Sequence, residues 1–146
     1  MVVEIKIDRT CTEPKLIIYT AAITEEITEL TKRLSAKNSK SLAGYQGEQV
    51  QIIPVSHILR IYTEKQKVLL QTESETLQLK YRLYELEELL DRERFVRISN
   101  SEIVNFDKVK CLDLSISGTI VLRFQNGQTT YVSRRYVSKI KELYHL

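Results

Sequence analysis

The sequence predicts a mainly β protein with a few helices, and three observations carry that expectation. Apolar and polar residues alternate at period two through most of residues 44–146, as half-buried strands require. Polar or glycine-containing breaks interrupt those runs at Gln46 and Gly47, at 64–67, at 73–75, at Ser117 and Gly118, and at Asn126 and Gly127. Helical spacing of apolar residues is confined to short stretches near 23–34, 83–90 and 137–144.

Taken in order, VVEIKI at 2–7 alternates like a half-buried strand, and LIIYT at 16–20 reads as a more buried one. The period then changes: Ile23, Ile27, Leu30 and Leu34 share a helical face, with Glu25 and Glu26 early and Lys32 and Arg33 late, the order the helix dipole favours. Residues 1–40 are therefore expected to form a β-β-α appendage, and the small, polar 35–44 a loop or linker. Two runs around Gln46 and Gly47, then three more through 57–80, read as strands. Leu83, Leu86, Leu89 and Leu90 mark a helix that is acidic outside and leucine-rich inside, suited to packing on a sheet. Asn126-Gly127 between alternating runs predicts a hairpin of type I′, the turn that needs positive φ twice. Val137, Ile140, Leu143 and Tyr144 place a helix at the end. The expected organisation is one antiparallel β unit over 44–146 preceded by the appendage.

Function classes can be excluded from composition. Four glycines leave no room for a phosphate-cradling loop, and Cys11 and Cys111, 100 positions apart, show no metal-ligand spacing. Reduced thiols in a cytoplasmic protein are the simplest reading, with a disulfide as the alternative. The N-terminus lacks the continuous apolar core of a signal peptide, and no apolar run is long enough to span a bilayer. His57, in PVSHILRI, reads as a structural or surface histidine, and neither it nor His145 stands in a catalytic pattern. No enzyme activity, cofactor, metal or small-molecule substrate is expected. Charge is uneven: residues 1–91 carry 12 Lys and Arg against 14 Asp and Glu, a net of −2, whereas 92–146 carry 10 against 5, a net of +5. Basic charge gathered at one end is a footprint of an anionic partner.

Two stretches fit poorly as plain scaffold. In RISNSEIVN (97–105), Ser99, Asn100 and Ser101 stand between apolar anchors. Asparagine can donate to and accept from a base edge, pairing bidentately with adenine, and flanking serines can hold phosphate oxygens. The alternative is an N-cap or Asx-turn in which Ser99 or Asn100 starts a short helical turn through Glu102 and Val104. In VSRRYVSKI, Ser133 is a candidate helix N-cap, so Arg134 and Arg135 fall in the first turn, where the helix dipole disfavours them. There they form an anion-binding corner, or they pair with the acidic helix at 85–91.

FVRISNSEIVN, the Asn-Gly hairpin and YVSRRYVSKIKEL together resemble the LytTR family of bacterial DNA-binding domains, over about residues 44–146. The resemblance implies a LytTR-like antiparallel β fold whose loops enter successive major grooves of double-stranded DNA at direct-repeat sites, as a pair of protomers. It carries contacts onto the first hairpin loop (Lys65, Gln66, Lys67), onto Asn100, and onto Arg135 with Arg134 adjacent. Some family members place a histidine in the first loop where this chain has Lys65-Gln66-Lys67. The short chain and its appendage resemble stand-alone LytTR regulators, which implies a small inhibitory membrane protein as a further partner. The alternative function is a protein-interaction module acting through residues 1–40, as a dimerisation or docking face. RNA binding is the weaker option, since no aromatic-rich base-stacking strand is present.

Overall fold

The computed structural model of the chain describes residues 1–12, 14–35 and 41–146. In chain order its elements are α1 (Glu25–Ser35), β1 (Ser41–Gln46), β2 (Gln49–Pro54), β3 (Arg60–Glu64), β4 (Lys67–Gln71), β5 (Thr76–Leu79), α2 (Leu83–Leu89), β6 (Phe95–Ser99), β7 (Glu102–Asn105), β8 (Val109–Asp113), β9 (Ile120–Phe124), β10 (Thr129–Val132) and α3 (Arg134–Leu143). Short 3₁₀ turns at Val55–His57 and Phe106–Lys108 bridge two of the joins, and His57 is exposed on the first. The strands form a seven-stranded sheet in the order β2-β1-β5-β4-β3-β7-β6 and a three-stranded sheet in the order β10-β9-β8, antiparallel at every pairing. The predicted mainly β architecture is the one observed.

Alternation along the strands builds two cores. Ile61, Leu70, Leu77 and Ile103 face Leu83, Leu86 and Leu90 of α2 and the residue that follows it. Leu59, Val96, Ile98 and Val104 project the other way, onto Ile120, Leu122 and Phe124 of β9 and Ile140 of α3. All four residues of β7 are buried, because that strand is covered on both faces. Gly44 lets β1 approach β5: a Cβ there would stand 2.7 Å from Leu77 Cδ1, closer than real contacts allow.

One polar network sits between the sheets. Glu102 of β7 accepts from Arg60 Nη1 at 3.0 Å, and Thr130 Oγ1 of β10 lies 2.8 and 3.1 Å from its two carboxylate oxygens. Arg60 Nε also donates to Gln71, whose amide bonds Gln128 at 2.8 Å. Burial raises the Glu102 pKa above its ordinary 4.5, and the bonds from Thr130 and Arg60 oppose that shift without cancelling it. A raised folded-state pKa favours the protonated form in the fold. Its stabilising contribution is complete below about pH 4.5 and is lost as pH rises through the higher folded value. Urea unfolding of Glu102→Gln and wild type from pH 4 to 7 should therefore show the balance moving toward the glutamine variant as pH rises. A gap that is flat, or that moves the other way, contradicts the assignment.

Four expectations need correction. Neither 2–7 nor 16–20 forms a strand: no neighbouring strand pairs with them, and side chains such as Val2 (93% exposed) and Ile7 (88%) meet solvent. Of the β-β-α appendage only the helix is present, and alternation alone cannot make a strand without a partner for its backbone. The helix starts at Glu25, since Thr24 Oγ1 accepts from the Ile27 N–H and leaves Ile23 outside. The expected linker at 35–44 overlaps β1, whose Leu42 belongs to the first core; the rest of it, at 36–40, lies outside the described residues. The β9–β10 hairpin is not type I′ either. Only Gly127 takes positive φ (90°), while the Asn126 side chain accepts from the Gln128 N–H at 3.0 Å and holds its own backbone on the usual side. Phe124 and Gln128 close a three-residue loop with a left-handed glycine.

Candidate nucleic-acid interface

The residues that close β3–β4 are Lys65 and Gln66, at φ 49° and 66°. With Glu64 paired to Lys67, this is a two-residue turn with positive φ at both centres, the type I′ signature. Neither residue is glycine or asparagine, so the conformation costs roughly 1 kcal/mol or more at each. Lys65, Gln66 and Lys67 are all exposed.

Asn100 and Ser101 form the turn between β6 and β7. Ser99 Oγ accepts from the Ser101 N–H at 3.1 Å and leaves Asn100 exposed at the tip, but no helical turn follows, since Glu102–Asn105 is the strand β7. A β-bulge between Arg97 and Ser99 turns the strand end outward. Arg97 braces the loop: its guanidinium donates to Ser99 O at 2.8 Å, to Asn100 O, and to Glu87 Oε1 of α2 at 2.7 Å. The acidic helix is thus answered by Arg97. Arg134 and Arg135 are exposed at the start of α3 and form no ion pair with the described residues. Ser133 is the N-cap by position, although its hydroxyl makes no capping bond.

Three bonds hold these stretches at one edge of the molecule. The Thr63 N–H, beside the first turn, donates to Ser101 O at 2.9 Å. The Ser133 N–H donates to Ile98 O at 2.9 Å, pinning the start of α3 to β6. Tyr136 Oη donates to Asn100 Oδ1 at 3.1 Å. A cavity of about 660 Å³, lined among others by Gln66, Asn100, Arg82 and Arg97, separates the first turn from the second. All eight residues singled out from the sequence therefore lie on elements that adjoin one another. Sequence reasoning missed Arg97, Tyr136 and the buried Asn105. Arg97 sits between Val96 and Ile98 in an alternating run and carries no pattern of its own. Tyr136 could have been found as the residue one helical step, about 100°, round from Arg135.

Comparison with known proteins bears on the family and the fold. The model of the LytTr DNA-binding domain family matches residues 48–145. The chain belongs to the LytTR family. An uncharacterized HTH-type transcriptional regulator of Staphylococcus aureus strain MSSA476 is 36% identical to it over 129 residues, covering 88% of this chain and 83% of that protein. Its counterpart in strain MRSA252 is 35% identical over the same length and coverage. The solved LytTr DNA-binding domain of a Bacillus cereus protein described as a methyl-accepting/DNA response regulator superposes with a TM-score of 0.72 at 26% identity, over 75% of this chain and 100% of that one. The relatives' names carry the helix-turn-helix label, yet no two helices adjoin among the described residues of this LytTR chain: β1–β5 separate α1 from α2, and β6–β10 separate α2 from α3. The exposed Lys65, Gln66, Lys67, Asn100 and Ser101 stand at or beside strand-end turns, and the exposed Arg134 and Arg135 open α3. No described helix is long and apolar enough to cross a membrane, and both cysteines are free and exposed.

Proposed function

We propose that this LytTR protein is a sequence-specific transcription regulator that places its strand-end turns and the start of α3 in successive major grooves of double-stranded DNA. The observation that carries the reading is the single polar edge on which three sequence-distant stretches converge. Asn100 and Arg135 are its base-reading residues, by amide and guanidinium geometry. Lys65, Lys67 and Arg134 suit phosphate oxygens, as do Ser101 and the N–H groups opening α3, while Gln66 can reach a base or a phosphate and Ser99 holds the turn. The family resemblance adds two protomers on a direct repeat and an inhibitory membrane partner; the support for both is that resemblance.

Selection from random duplex DNA at near-physiological salt tests the reading. Wild type should enrich a motif, with Arg135→Ala and Asn100→Ala each losing about 1–3 kcal/mol at the selected site while circular dichroism is unchanged. Undiminished binding by both variants contradicts the residue assignment. If wild type enriches nothing, a different surface moves to the front: residues 1–24, whose Val2, Val3, Ile5, Ile7 and Tyr19 are all exposed and fit a protein-interaction role.

A further inference from the structure

An exposed asparagine is an ambiguous reader. Its carboxamide presents two donors and one acceptor, and a half-turn about its terminal bond exchanges them. Only the Nδ2 edge can donate to a purine N7, so the orientation of the carboxamide decides whether Asn100 reads it. In this chain the side chain is not free. Tyr136 Oη donates to Asn100 Oδ1 at 3.1 Å, while both hydrogens of Nδ2 have no partner among the described residues. Tyr136 is half-buried, with its ring packed against the second core, so the hydroxyl is delivered from a fixed platform. The turn beneath Asn100 is equally fixed, because Arg97 holds the Ser99 and Asn100 carbonyls.

The geometry points to Tyr136 as a specificity-determining positioning residue: it holds the Asn100 carboxamide in place beside α3, and in the orientation observed the Nδ2 donors and the second lone pair of Oδ1 are left for the groove. This inference rests on the DNA-binding reading. A donor beside an acceptor matches the N7 and N6 amino edge of adenine, a two-bond match that no other base offers in the major groove. The same bond links the reading turn to α3, so Asn100 and Arg135 are aligned through one side chain. Tyr136 touches neither base nor phosphate in this role; it acts through Asn100.

Base-preference profiles of the full chain provide the test, for wild type, Tyr136→Phe, Asn100→Ala and the double variant. Phenylalanine keeps the ring and its packing and removes only the hydroxyl. Tyr136→Phe should narrow discrimination at a single base pair, the one whose preference Asn100→Ala abolishes, by about three- to tenfold, since one good base contact is worth roughly tenfold or more. Preferences elsewhere should stay within about twofold, and the double variant should match Asn100→Ala, as coupled residues require. A Tyr136→Phe profile identical to wild type overturns the inference. So does an equal loss at every position, or a further loss in the Asn100→Ala background, because either marks a merely structural residue. If wild type itself selects no motif, the DNA-binding reading fails and the inference with it; that outcome is recognisable before any variant is compared.

Discussion

Asn105→Ala is expected to cost about 2–4 kcal/mol of folding stability, the largest effect of any single polar substitution described above. Asn105 is fully buried, and its Nδ2 donates to Ile58 O at 2.8 Å while Oδ1 accepts from the Asp107 N–H at 3.0 Å. Ile58 is itself buried, so removing the amide leaves a carbonyl without water or partner. The same side chain sets the 3₁₀ turn that carries Phe106, whose ring stacks on Tyr144 at the end of α3 with centroids 5.1 Å apart. Loss of Asn105 therefore loosens the helix that bears the arginines as well as the join after β7. Urea unfolding followed by circular dichroism checks the figure, and a loss below about 0.5 kcal/mol would show that the bonds contribute little. Asn105→Asp should be as damaging at neutral pH, where a carboxylate faces the Ile58 carbonyl, and should recover as acid protonates it into a donor.

The second large effect has two signs. Changing Lys65→Asn together with Gln66→Gly installs the residues a type I′ turn prefers, and should raise unfolding free energy by about 1–2 kcal/mol by relieving two positive-φ side chains. On the proposed reading the same change removes one cation and one polar group from the edge that meets DNA. Affinity for the selected site should fall about tenfold or more, and the salt slope should flatten by roughly one counterion. A variant that is stabilised and binds as well as wild type would take Lys65 and Gln66 out of the interface. A variant that is no more stable would mean that the turn stores no strain. Stability given up at a working surface is a familiar trade, and a strained turn lacking glycine and asparagine is where it would be expected.

The hairpins show how far the sequence can be read. Alternation located β3, β4, β5, β9 and β10, whereas β7, buried on both faces, does not alternate in burial and β8 begins at Val109, before the run that starts at Leu112. Turn chemistry was less legible. Asn126-Gly127 carries the strongest type I′ signal in the chain yet closes a three-residue loop, since the Asn126 side chain satisfies the Gln128 N–H. Lys65-Gln66 carries no such signal and adopts type I′, because the register of Glu64 on Lys67 leaves only two residues to turn. Register decides the turn at Lys65-Gln66, and a local side-chain bond decides it at Asn126-Gly127. At the candidate site, the exposed polar residues were visible as misfits in an apolar pattern. The groups that orient them were not, since Arg97, Tyr136 and Asn105 act through contacts across 10, 36 and 47 positions of sequence. The failed strands at 2–7 and 16–20 mark the opposite limit: alternation states what a segment could pair with, and only a neighbour decides whether it does.

The bonds from Thr63 to Ser101, Ser133 to Ile98 and Tyr136 to Asn100 have a mechanical consequence. They tie the spacing of the three edge elements together, the first two turns through strand pairing and the start of α3 through its bonds to β6 and to Asn100. Such a surface works as a gauge of fixed span. Inserting one base pair into a site moves the next groove position by roughly 3.4 Å and about 35°, and these bonds oppose the shift between elements that would be needed to follow it. On the proposed reading, spacing would be part of what this LytTR protein recognises, and a site with the right bases at the wrong interval would be a foreign one.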